Sequence, residues 1–144
     1  MRFLAIVLVS MITSSCAMEV KNSDLIGQCM MLKDSVSIWH AYDNLYVGKF
    51  LLAKKQPTRL LRSSKPFGNI TANTKIELTE ILKGSNGSYG DFLRVRVRLL
   101  TGNYVGLVVD IPACVPYHPS KKWVVNCSLE PNKLSFNKSI LIDC

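Results

Sequence analysis

The chain has 144 residues, 18 Lys+Arg against 10 Asp+Glu, a formal net charge of +8 and 48% hydrophobic residues. That length suits one domain around a single core, and the lack of any internal repeat or low-complexity tract excludes repeat arrays. A charge of this size bears on partners and solubility rather than on fold.

Met1-Arg2 is a minimal positive start, and Phe3 to Ile12 is an uncharged apolar run. As a helix it would extend roughly 15 Å, about half a bilayer, so it reads as the core of an export signal and not as a membrane span. Thr13-Ser-Ser-Cys16-Ala17 supplies the small residues of a cleavage site, so residues 1–17 are expected to be a signal peptide and 18–144 a single β domain outside the inner membrane. Ser15-Cys16, with Ile12, Thr13 and Ser14 before it, resembles the bacterial lipobox. That resemblance implies cleavage before Cys16 and acylation of Cys16. Ala17 and Met18 after the cysteine, with no Asp, resemble lipoproteins forwarded to the outer membrane. Cleavage after Ala17 is the other reading, since Ser15 and Ala17 fit the small-x-small rule.

Five cysteines are present. Setting Cys16 aside leaves Cys29, Cys114, Cys127 and Cys144, an even set that reads as two disulfides with three possible connectivities. The sequons at Asn69, Asn86, Asn126 and Asn137 read as turn and strand chemistry in a bacterial protein.

Strand periodicity then runs along the body of the chain. Val36 to Tyr42 and Tyr46 to Ala53 are expected to be strands joined near Asp43-Asn44, and Gln56 to Thr74 a long loop with one short strand at Arg59 to Arg62. Ile76 to Lys83 places Ile76, Leu78 and Leu82 on one face. Leu93, Val95, Val97 and Leu99 alternate with Arg94, Arg96 and Arg98, and Val105, Leu107, Val109 and Ile111 repeat the alternation. Gly84 to Gly90 and Thr101-Gly-Asn103 are the intervening turns, which makes a three-stranded antiparallel meander. A final hairpin is expected from Lys122 to Leu129 and Leu134 to Ile142, turning at Glu130-Pro-Asn-Lys133, with Leu134, Phe136, Ile140 and Ile142 sharing a face. That geometry disfavours pairing Cys127 with Cys144 and leaves the other pairings open.

Asn73-Thr-Lys-Ile at the start of one strand and Gly102-Asn-Tyr-Val-Gly-Leu-Val-Val109 at the close of the meander resemble bacterial SH3-like domains, over about residues 73–112. The resemblance implies a small all-β fold, an SH3-like antiparallel barrel with an additional C-terminal hairpin, and a habit of binding rather than a reaction.

No His/Cys/acid pattern has metal-ligand spacing, and no nucleophile elbow or phosphate loop is present. The chain is therefore read as non-enzymatic, with no cofactor and no metal. His40, His118, Asp91 and Asp110 are the only groups placed suggestively for a hydrolase, the third-ranked reading. The cations speak for binding. No acidic residue occurs from Asn44 to Ile76, a stretch that holds Lys49, Lys54, Lys55, Arg59, Arg62, Lys65 and Lys75. Arg94, Arg96 and Arg98 would project from one sheet face at about 6.7 Å spacing, twice the strand rise, a row suited to phosphate or carboxylate. The expected binding residues are Arg94, Arg96, Arg98, Lys54, Lys55, Arg59 and Arg62. Export excludes nucleic acid as the physiological ligand, which leaves a membrane-tethered protein that binds an anionic envelope component or a protein. The alternative is an inhibitor or immunity protein against an exported toxin or wall hydrolase.

Overall fold

The computed structural model describes residues 19–40, 49–54, 64–86, 90–112, 123–126, 128 and 130–144. Eleven strands are formed among them: β1 (Glu19–Lys21), β2 (Cys29–Leu32), β3 (Val36–His40), β4 (Phe50–Ala53), β5 (Lys65–Ile70), β6 (Lys75–Asn86), β7 (Gly90–Leu99), β8 (Val108–Ile111), β9 (Val124–Asn126), β10 (Ser135–Phe136) and β11 (Leu141–Asp143). Nine of them form one sheet in the order β11-β2-β6-β7-β8-β4-β3-β5, with β1 also on β6, and β9 pairs with β10 in a second sheet. The architecture is all-β, as the periodicity requires. The expected closed barrel is replaced by an open sheet that runs from β11 to β5.

The meander is its spine. β6 pairs antiparallel with β7 from Ile76↔Leu99 to Asn86↔Gly90, and β7 with β8 from Val95↔Ile111 to Arg98↔Val108. Leu93, Val95, Val97 and Leu99 are buried on the core face with Ile76, Leu78, Ile81, Val109 and Ile111, so the alternating pattern of β7 translates directly into a core face. β6 departs from simple alternation. Its register slips between Leu78 and Glu80, leaving Thr79 as the extra residue of a β-bulge. The Thr79 hydroxyl donates to the Arg96 carbonyl at 3.2 Å. Beyond the bulge Ile81 takes the core face and Leu82 pairs with Arg94 on the other, which corrects the shared face expected for Ile76, Leu78 and Leu82. β8 begins at Val108 instead of Val105. The preceding turn closes by Gly106 N–H to the Leu99 carbonyl (2.8 Å), with Gly106 at φ +85°, the left-handed region that glycine enters freely.

β3 and β4 pair as expected, with His40↔Phe50 and Ser37↔Ala53 at the ends. The expected strand at Arg59 to Arg62 lies outside the described residues. β5, inside the stretch read as a loop, pairs antiparallel with β3 instead. Pro66 and Gly68 hide it in the sequence. Proline is tolerated there because β5 ends the sheet path, where a missing N–H interrupts no second ladder. β4 joins β8 in parallel at Leu51↔Asp110, which ties the N-terminal hairpin to the meander.

At the C-terminus β9 and β10 form the expected hairpin around a single 3-10 turn at Pro131–Lys133. The long last strand is broken, however. The Asn137 carbonyl accepts from Ile140 and Leu141 N–H (both 2.9 Å), and its side chain accepts from Ser139 N–H at 3.0 Å. This Asn-Lys-Ser turn releases β11 to pair with β2, from Leu141↔Leu32 to Asp143↔Met30. The face expected for Leu134, Phe136, Ile140 and Ile142 is thus interrupted: Leu141 is in the core and Ile142 half-buried. Trp123, Val124, Leu134 and Ile140 pack the small sheet onto the main core.

β11 also brings Cys144 to Cys29. The two form a disulfide across 115 residues of sequence, with their Cα atoms 5.5 Å apart. Closing so long a loop stabilises the fold by about 4–5 kcal/mol on the chain-entropy account. Cys114 and Cys127 lie outside the described residues, as do Cys16 and residues 1–17.

Candidate functional site

The sheet face opposite the core collects the arginines nominated from sequence, and it is not a row of free cations. Arg94 is 1% exposed, with its guanidinium carbon 5.3 Å from the Phe92 ring centroid. Arg96 forms two ion pairs, Nε to Asp110 Oδ1 at 3.0 Å and Nη1 to Glu80 Oε2 at 2.8 Å. Its side chain is 15% exposed, and Asp110 is fully buried. The register accounts for this, since Glu80 and Asp110 flank Arg96 on the neighbouring strands. Leu51 sits beside Asp110 across the parallel junction and is itself buried. A guanidinium held by two carboxylates has little left to offer an external anion. Only Arg98 is open, with a 52% exposed side chain and Glu77 at 3.7 Å.

Lys54, also nominated, forms an ion pair with Asp34 at the surface. The Lys54 hydrogen bond, then its charge, holds the Asp34 carboxyl below its ordinary value. Lys55, Arg59 and Arg62 lie outside the described residues, as does His118. Asp91 pairs with Lys83 at 2.9 Å, and His40 packs edge-on against Phe50, ring centroids 5.5 Å apart. Asp110 and Asp91, the acids considered for hydrolysis, are both engaged by cations. Among the described residues no group of three or more His, Cys, Asp or Glu side chains could hold a metal ion.

A different surface is open, at the β3–β5 end of the sheet. The Phe50 and Phe67 rings lie 4.6 Å apart and the Phe67 and Tyr104 rings 5.8 Å apart. With His40 they make a continuous aromatic strip from β3 to the β7–β8 turn. Phe67 is 48% exposed. Tyr104 can lie on β5 because residue 68 is glycine: a Cβ there would overlap the Tyr104 hydroxyl. Lys49 and Lys65 are exposed at one end of the strip, beside the paired His40 and Phe50, with no carboxylate partner among the described residues. At the other end is a cleft of about 80 Å³ between β5 and the turn, lined by Asn69, Thr71, Thr101, Asn103 and Tyr104 over Ile70 and Leu99.

Sequence reasoning marked the acid-free stretch from Asn44 to Ile76, which holds Lys49, Phe50, Lys65 and Phe67, but neither this surface nor the strip. The available signal was Phe67-Gly68 within Lys65 to Ile70, masked by the proline that argued for a loop. Comparison of the chain with protein-family models, with curated proteins and with solved structures finds no match in any of the three.

Proposed function

We propose that the chain is a non-enzymatic binding protein of the cell envelope. In this reading it is exported by residues 1–17, tethered through an acylated Cys16, and built on a meander of SH3-like type. Its recognition surface is the β3–β5 end of the sheet, where it binds an anionic envelope component. The observation that carries the reading is the aromatic strip, open at Phe67 and flanked by Lys49 and Lys65, cations without a carboxylate partner among the described residues. The β7 arginines become structural, apart from Arg98. Aromatic faces beside ammonium groups suit a ligand with both an apolar surface and acidic substituents.

The inhibitor reading requires a protein partner, and β5, the last strand of the sheet among the described residues, offers an edge for one. That edge carries Lys65 and Pro66, residues that blunt strand addition, so the envelope ligand is favoured. The test is retention of the mature protein on anionic liposomes and on purified sacculi. Lys49→Ser with Lys65→Ser is expected to lower retention and to make what remains less sensitive to salt, while Arg98→Ser has a smaller effect. Unchanged retention in the double variant would remove this surface from the account, and a tight protein partner in a pull-down would favour the inhibitor.

A further inference from the structure

The geometry points to a saccharide subsite: the cleft between β5 and the β7–β8 turn takes one uncharged sugar ring of an envelope glycan, with Tyr104 as its stacking wall. This deepens the binding reading above, on which its envelope setting rests.

The lining chemistry selects the ligand class. No ionisable group other than the Tyr104 phenol lines the cleft; its polar members are amides and hydroxyls. An amide side chain presents a donor and an acceptor side by side, the spacing of neighbouring sugar hydroxyls, and a threonine hydroxyl can do either. These groups are available. The Asn103 and Thr71 side chains take no partner among the described residues. Asn69 Oδ1 accepts from the Ser37 hydroxyl (2.9 Å), which leaves its amide N–H groups. Thr101 Oγ1 accepts from Lys75 N–H (2.9 Å), which leaves its own proton to donate.

The wall supplies what amides cannot. A pyranose ring has an apolar C–H face, which packs on an aromatic ring face as other apolar groups do. Tyr104 lines the cleft, and the half-exposed Phe67, its ring 5.8 Å from that of Tyr104, continues the aromatic surface beyond it. The site is built before ligand arrives. Gly68 admits the Tyr104 ring against β5, and Gly102 at φ +86° turns Asn103 outward from the end of β7. At about 80 Å³ the cleft is well below the size of a drug-sized pocket, so one ring is engaged and affinity per ring is weak.

The experiment titrates ¹⁵N-labelled mature protein with two probes in separate arms. One is a β-1,4-linked N-acetylglucosamine tetramer, representing wall glycan; the other is lipopolysaccharide core oligosaccharide. Amide shifts are expected at residues 67–71 and 101–104, saturating in the millimolar range with at least one probe, and the responding arm identifies the source. Tyr104→Ala should weaken binding by about fivefold or more and Asn103→Ala by about threefold. Val125→Ser, on exposed β9, should leave it unchanged. Asn103→Ala keeps the test decisive should Tyr104→Ala disturb β5. Absence of shifts with both probes at about 20 mM, shifts centred elsewhere, or full affinity in both cleft variants would overturn the proposal. Retention through Lys49 and Lys65 is read independently. Loss of the sugar response with retention intact defeats the cleft alone, and the converse defeats the anionic-ligand reading alone.

Discussion

At the middle of β7 one guanidinium pairs with two carboxylates, and its surroundings fix what each partner is worth. Asp110 is fully buried and Arg96 nearly so. Removing one member strands a charge, which costs about 3–5 kcal/mol, whereas replacing both with apolar groups of similar volume is often close to neutral. Asp110→Ala is therefore expected to lower unfolding stability by about 3 kcal/mol. Arg96→Met combined with Asp110→Leu should recover most of that loss, measured by urea denaturation. The exposed pairs behave differently. Asp34 and Glu19 carboxyls are held below their usual 3.8 and 4.5, chiefly by the Lys54 and Lys21 hydrogen bonds. A lowered carboxyl contributes stability that is complete above its unfolded value and is lost as pH falls through the folded one. Asp91 raises Lys83 above 10.5, so its contribution is complete below that value and is lost as pH rises through the raised one. The urea midpoint should accordingly be insensitive to these pairs between about pH 5 and 9 and fall on the acid side, with a shallower fall in Asp34→Asn. The residue identities on β7 were legible in the sequence as two faces. What covers the second face was not. Alternation assigns a side chain to a face, and the parallel β4–β8 junction that brings Leu51 to Asp110 joins residues 59 positions apart in the chain.

Among the elements, the meander was legible because β6, β7 and β8 are neighbours in sequence and carry period-2 alternation with glycine turns between them. Its details were not. The Thr79 bulge shifts β6 by one residue, and the wide turn through Gly106 removes Val105 and Leu107 from β8. Leu93→Ala, in the core, should cost about 3 kcal/mol, and Val105→Ala, on the exposed turn, no more than about 0.5 kcal/mol, both by thermal or urea unfolding. β5 was missed outright because proline and glycine are ordinary loop signals, and only its place at the sheet edge makes them compatible with a strand. Gly68→Ala tests that close approach. The Tyr104 ring must move, and the Tyr104 and Phe67 side-chain resonances should shift while the core remains folded.

For the whole molecule, Cys29 and Cys144 were legible as disulfide candidates and their pairing with each other was not, because β11 leaves the hairpin at Asn137 to reach β2. With Cys29 joined to Cys144, the two-disulfide reading requires a Cys114–Cys127 link, and non-reducing peptide mapping should recover it. Cys29→Ser with Cys144→Ser should lose about 4 kcal/mol and free the C-terminal strand, read as faster amide exchange at 141–143. Compartment, oxidation and the class of partner all depend on the processing of the N-terminus. The most direct measurement is the intact mass of the mature protein from its native host. The account predicts a chain that begins at Cys16, carries acyl groups, and has its four remaining cysteines oxidised. An unacylated mass that retains Met1, with free thiols, would contradict it.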